Sequence, residues 1–264
     1  MPSQGTSTFD LFALRFHCIA DAPVHFPGDE TANLFRGQFG KFLYRRNPAV
    51  YSRFFAPVKE SSPSGLHDPP RPFVLRIRHL SGAALDGFHV GLNLFETNHS
   101  EIGIIRDTMA DLARESLRAE LVRVEGQEVL RLPLAATRSA RRVRVQFLTP
   151  TELKNVERPE FGPLFSRIRD RISTLRALYG SGPLEVDFKA MGQRASAIQM
   201  IRCDLDHVDL ERSTGQRHPL GGFVGVAEYE GDLTEFIPYL EIASYTGVGR
   251  QTVWGKGEIA IETF

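Results

Sequence analysis

Tyr245-Thr246-Gly247-Val248-Gly249-Arg250-Gln251-Thr252-Val253-Trp254-Gly255-Lys256-Gly257-Glu258 carries four glycines within eleven positions, between a helical pattern and a strand-like one. Without a Cβ, such backbone can approach a ligand closely and turn successive N–H groups toward an anion. Arg250 and Lys256 are the formal charges between Gly247 and Gly257, a composition suited to a sugar–phosphate chain. The competing reading is a tight connection whose glycines serve backbone geometry alone. A phosphate-binding P-loop is excluded, because five residues separate Gly249 from Gly255 and Gly257 stands where a hydroxyl residue is needed. Gly247-Val248-Gly249 has no following helix, so a dinucleotide fingerprint fails as well.

Working outward, Asp232 to about Ser244 reads as a helix with Leu233, Phe236, Ile237 and Leu240 inward, and Asp232 and Glu235 at capping-box spacing. Val253–Ile261 reads as a closing strand. Upstream lie a strand pair at Ala195–Leu210 and Gly222–Tyr229, a long helix striped by Phe161, Leu164, Phe165, Ile168, Ile172 and Leu175, and a strand at Arg141–Leu148. This strand–helix–strand–strand–helix–strand order also fits the first half. Phe9–Ala20 alternates, Phe35, Phe39, Phe42 and Leu43 mark a helix over Glu30–Arg46 that Asn47-Pro48 ends, and Pro57–Pro72 is a loop. Strands at Phe73–Leu80 and Phe88–Phe95, a helix over Glu101–Leu117 and a strand over Glu120–Pro133 complete it. Two βαββαβ units predict an α+β protein of two tandem ferredoxin-like (RRM-like) domains with antiparallel sheets, residues 1–137 and 138–264, the boundary near Leu134–Ala140.

That topology leaves one face of each sheet without helices. Arg15, His17, Arg76, Arg78, Arg142 and Arg144 fall on those faces, where they meet each other, a ligand or only solvent.

The 264 residues are 42% hydrophobic and 24% charged, which excludes a disordered chain, a collagen repeat and a disulfide scaffold. With 32 Lys+Arg against 32 Asp+Glu, a uniformly basic nucleic-acid binder is disfavoured, while a local basic groove is not. Cys18 and Cys203 read as two buried thiols, and the apolar runs are too short to span a bilayer, so a cytoplasmic protein with no membrane association is expected. HExxH, paired CxxC and GxSxG are absent, and the eight histidines have no metal-ligand spacing, so no cofactor and no metal are expected. Tyr44, Tyr229 and Tyr245 are the aromatic residues weighed as base-stacking groups against core or rim packing.

A paired βαββαβ chain ending in GxGxxTxxGxG resembles the RAMP superfamily, in particular the endoribonucleases that cut CRISPR precursor transcripts within their repeats. Arg212-Ser213, Gln216, Pro219 through Gly225, Tyr229 through Leu233, Phe236, Pro238 and Leu240 are similar to the C-terminal half of one branch, and Leu34 through Gly40 resembles its first helix. The resemblance implies metal-independent cleavage, the ribose 2′-OH attacking the adjoining phosphate to leave 2′,3′-cyclic phosphate and 5′-OH ends. It nominates Lys41, His25 and Tyr44 for catalysis, and Arg36, Arg45, Arg46, Arg212, Arg217, Gly247, Gly249, Arg250, Gln251 and Lys256 for RNA binding. Lys41, Thr246 and the Phe54-Phe55 segment stand where relatives often carry His. CRISPR repeat RNA is the implied partner, with effector-complex subunits a further one and the chain a monomer or homodimer. A non-catalytic guide-RNA-binding subunit of an effector complex is the alternative, and a small-anion regulatory module the third reading.

Overall fold

The computed structural model describes residues 7–28, 30–57, 69–97, 101–154, 156, 158–208 and 222–264. Two antiparallel sheets follow one another along the chain. The first contains β1 (Thr8–His25), β2 (Phe73–Arg76), β3 (Ala84–Leu94), β4 (Ala119–Glu125) and β5 (Leu130–Pro133), with helices α1 (Thr31–Arg46), α2 (Pro48–Phe55) and α3 (Ile102–Leu112). The second contains β6 (Arg142–Thr151), β7 (Gln199–Val208), β8 (Gly222–Glu230) and β9 (Ile259–Thr263), with α4 (Phe161–Tyr179), α5 (Phe188–Ser196) and α6 (Ile237–Thr246). The strand orders are β2-β3-β1-β4, with β5 on the start of β1, and β7-β8-β6-β9. In both, the first and third long strands of the unit lie side by side at the centre, the ferredoxin-like arrangement.

Several boundaries differ from the sequence pattern. Asn47 ends α1 and at once caps α2, its Oδ1 accepting from the amides of Ala49 and Val50 at 3.1 Å, because Pro48 has the fixed φ of a first helical residue. Pro238 in the first turn likewise starts α6 at Ile237, so Asp232 caps no helix. Ala195 and Ser196 belong to α5, and Val253 to a single 3₁₀ turn rather than to β9.

Each sheet buries one face against its own helices. In the first unit Phe12, Leu14, Phe16 and Cys18 of β1 meet Phe35, Phe39 and Leu43 of α1 and Ile105, Met109 and Leu112 of α3. In the second, Val143, Val145 and Phe147 of β6 and Tyr229 of β8 meet α4 and α6. Tyr229 is completely buried with its hydroxyl donating to Pro159 O at 2.7 Å, which makes it a core residue. Cys18 is buried and Cys203 only half-buried, each free on a different sheet.

The helix-free face of the first sheet changes character along its strands. Phe9 and Leu11 on β1, Val74 on β2 and Phe95 just after β3 are buried in the core of the second unit. Two residues at a time along the same face, these give way to Arg15 and His17, Arg76, and Asn93 and His89. One end of the sheet is therefore welded to the second unit by apolar burial, and the other opens as a polar cleft. On the second sheet the corresponding face is occupied by the protein itself: Arg142 and Arg144 both bind Glu228 and hold its carboxyl below the usual range.

Candidate nucleic-acid interface

Helix α1 and the glycine-rich loop meet at the seam between the two units. The Arg36 guanidinium lies over two rings, 5.0 Å from the Trp254 ring centre and 5.3 Å from that of Phe55. A Cβ on Gly255 would come 2.9 Å from Cβ of Ala32, so loop and helix touch with no room to spare. Phe35, Phe39, Phe42 and Leu43 anchor the inner side of α1, which leaves Lys41 and Tyr44 exposed. Tyr44 packs edge-on against Tyr51 of α2, ring centres 5.2 Å apart.

The loop is closed by its own backbone. Val248 N donates to Gly257 O at 2.8 Å, Gly257 N to Pro150 O at 3.1 Å, and Arg250 N to Glu152 O at 3.1 Å. A Cβ on Gly257 would stand 1.9 Å from Val248 O and one on Gly249 2.4 Å from Glu152 O, both at positive φ. These glycines thus serve close packing of backbone on backbone, and the amides of Val248, Arg250 and Gly257 are not turned outward as an anion nest. Gln251 takes a left-handed conformation at the loop's outer turn, φ 59°. Arg250 is exposed and pairs with Glu152 at 2.8 Å, whereas Lys256 is buried.

Two arginines hold the foot of the loop. Arg76 of β2 donates to the carbonyls of Ser244 (3.0 Å) and Tyr245 (2.9 Å), and Asn93 adds a bond to Tyr245 O at 2.9 Å. Arg171 of α4 donates to Thr246 O at 3.0 Å and to the Thr252 hydroxyl at 2.7 Å. Both guanidinium groups face the negative end of the α6 dipole, where carbonyls lack intrahelical donors. Burial, with Arg76 nearby, lowers Arg171 to about 10. Helical periodicity marked Arg171 only as a residue outside the apolar stripe of α4, and Trp254 only as part of a strand, so neither stood out in the sequence.

Beside this foot lies a cleft of about 320 Å³, lined by Arg15, Arg76, Arg78, His79, His89 and Glu258 among others. The alternation of strands had placed Arg15, Arg76 and Arg78 on this face; His79 and His89 carried no signal beyond residue type.

Other nominated residues lie elsewhere. Arg45 forms a two-pronged pair with Glu115 (2.6 and 2.8 Å), and Arg46 binds Asp111 and approaches Asp107 at 3.6 Å, so both turn toward α3 rather than toward the loop. His25 is exposed at the end of β1, opposite Ala84. Arg212 and Arg217 lie outside the described residues. Among the described residues no three His, Cys, Asp or Glu side chains gather as a metal site, and no helix is long and apolar enough to cross a membrane.

The two sheets and the seam between them define a tandem ferredoxin-like protein. The family model described as CRISPR-associated endoribonuclease Cas6 matches residues 145–259, from within β6 to the first residue of β9. That match lies in the second unit and spans less than half of the chain. A Cas6 product complex is similar over 96% of this chain and 100% of that one, with TM-score 0.63 at 18% identity. Thermus thermophilus Cas6 covers 98% and 100% with TM-score 0.56 at 17% identity. A partial Cas6-RT-Cas1–Cas2 complex covers 97% of this chain and 46% of that one, TM-score 0.63 at 12% identity. At such identities the likeness is one of fold. No curated protein sequence gives a significant match.

Proposed function

We propose that this protein is an endoribonuclease that cuts CRISPR precursor RNA within its repeats without a metal ion. The 2′-OH at the cut site attacks the adjoining phosphorus, and the P–O5′ bond breaks to leave 2′,3′-cyclic phosphate and 5′-OH ends. The observation that carries this reading is the meeting of α1 with the glycine-rich loop through Arg36, Phe55 and Trp254. A guanidinium stacked between rings, beside an exposed Lys41 and Tyr44, is a surface for a phosphate chain with unstacked bases. Gly247 and Gly249 let the loop close on its own backbone, which sets Arg250 and Gln251 at its outer turn. Lys41 and Tyr44, exposed on α1, are groups that this end of the molecule offers to the strand, with His25 more distant at the end of β1.

The test is incubation of the purified chain with repeat RNA from an array near its gene, in EDTA, beside the same RNA carrying 2′-deoxyribose at the cut site. Cutting of the first to a cyclic-phosphate end, with the second intact, is expected. Cutting of both equally overturns the nucleophile. Tight, salt-sensitive binding of both without cutting assigns the chain to guide-RNA binding instead.

A further inference from the structure

The α1 face has no imidazole among its described residues, yet three lie together on the helix-free face of the first sheet. His17 of β1 stands opposite His89 of β3 in register, ring centres 5.7 Å apart. His79, from the 3₁₀ turn Arg78–Leu80 between β2 and β3, stacks on His89 with ring centres 4.1 Å apart and planes 19° from parallel. His79 Nε2 lies 3.0 Å from the His89 carbonyl oxygen, so this nitrogen carries hydrogen and Nδ1 is left open. His17 Nε2 lies 3.2 Å from Glu125 of β4.

Three cations surround the pair. Arg15 and Arg78 are half-exposed at the cleft wall, near Glu125 (3.9 Å) and Glu258 (3.8 Å) respectively. Arg76 is deeper, spends Nη2 on the α6 carbonyls, and has Nη1 without a hydrogen-bond partner among the described residues. Three guanidinium groups against two carboxylates in a cleft of about 320 Å³ favour an anion. Ser244, Tyr245 and Glu258, which flank the glycine-rich loop, line the same cleft, so a strand gripped by the loop is led into it.

We infer that this cleft receives the scissile phosphodiester, and that His89 and His79 are the catalytic base and acid for RNA cleavage. The inference rests on the endoribonuclease reading above. His89 takes the proton of the ribose 2′-OH, O2′ bonds to phosphorus, and the P–O5′ electron pair leaves with the oxygen. Protonated His79 gives O5′ its proton, so the pair exchanges its protonation states and returns through water. Arg15, Arg76 and Arg78 stabilise the charge on the phosphorane. Burial, then His79, Arg15 and His17, lower His89 below the usual imidazole range, against Glu125, which raises it. That lowering favours the neutral ring at His89, the form a base requires.

The experiment is single-turnover cutting of the repeat RNA by the full chain and by H89N, H89Q, H79Q, H207Q and K41A, with binding measured in parallel. His207 lies on β7 of the other sheet. H89N, H89Q and H79Q are expected to lose about 100-fold or more in rate with binding within threefold, and H207Q to match the wild type. The wild-type rate should rise with pH through the acidic limb of a bell and H89Q should lose that limb, a change that misfolding alone does not produce. Wild-type rates in all three cleft variants, or a loss confined to K41A, overturn this assignment and leave the endoribonuclease reading standing. A wild-type chain that binds but does not cut removes both.

Discussion

The guanidinium of Arg36 on α1 and the indole of Trp254 in the glycine-rich loop lie 5.0 Å apart across the seam between the two units. Residues more than two hundred positions apart thereby make one surface. The same guanidinium also faces Phe55, and burial followed by Arg71 lowers its affinity for a proton. An anionic strand arriving there relieves the unfavourable placement of a desolvated cation.

Arg36→Met is therefore expected to weaken RNA binding and to reduce the slope of log affinity against log salt by about one contact. Stability should change by only about 1 kcal/mol, since cation–π pairs at partly exposed sites are modest. Arg45→Ala serves as its comparison: Arg45 is held by Glu115, so its loss should weaken binding less than Arg36→Met does. Filter binding over a salt series reads both.

Gly257→Ala tests whether the loop's closure matters. The added methyl would lie 1.9 Å from Val248 O, so the bond from Val248 N to Gly257 O cannot survive unchanged. We expect a loss of about 1–3 kcal/mol from backbone strain, read by urea unfolding, together with loss of RNA binding. Gly37→Ala on α1, where nothing lies within 4 Å of the new methyl, should be neutral or slightly stabilising.

Arg76→Met removes the charge that ties β2 to the last turn of α6 and takes its donor from Ser244 O, while Tyr245 O keeps the bond from Asn93. Leaving this half-buried carbonyl without its charged donor costs about 1–3 kcal/mol. The two units should then unfold in separable steps, visible as a broadened calorimetric transition. Phe9→Ala, at the apolar end of the same face, should cost about 3–5 kcal/mol.

Acid should loosen the outer ion pairs. Arg142 and Arg144 lower Glu228, Arg46 lowers Asp111, and Arg45 lowers Glu115. A carboxyl whose pKa is lower folded than unfolded contributes stability above its ordinary value, and loses it as pH falls through the folded one. Urea midpoints should accordingly be flat from pH 7 to about 5 and fall below about 4.5, and Glu228→Gln should flatten that fall.

Much of the architecture was legible because each element carries its own period. The stripe of α4 and the alternation of β1 are local facts, and two copies of one element order suffice for the ferredoxin-like class. The second helix after Asn47, the start of α6 at Ile237 and the 3₁₀ turn at Thr252 were missed where a proline or glycine resets the backbone, because such residues can begin an element as readily as end one. The glycines of the terminal loop were visible, but not their use: Gly249 and Gly257 face backbone oxygens contributed by Glu152 and Val248, and the former lies about a hundred residues away.

The order of hydrophobic and polar residues by itself determined the strands, the helices and the polar character of one sheet face, since side-chain period follows directly from backbone geometry. Tertiary structure alone decided which cations remain available. Arg45, Arg46, Arg142 and Arg144 are tightly paired with carboxylates brought from other elements, while Arg15 and Arg78, only 3.9 and 3.8 Å from Glu125 and Glu258, converge with Arg76, His79 and His89 in one cleft. Charge acts through space over a few ångströms, and no spacing along the chain records which charges folding will bring that close.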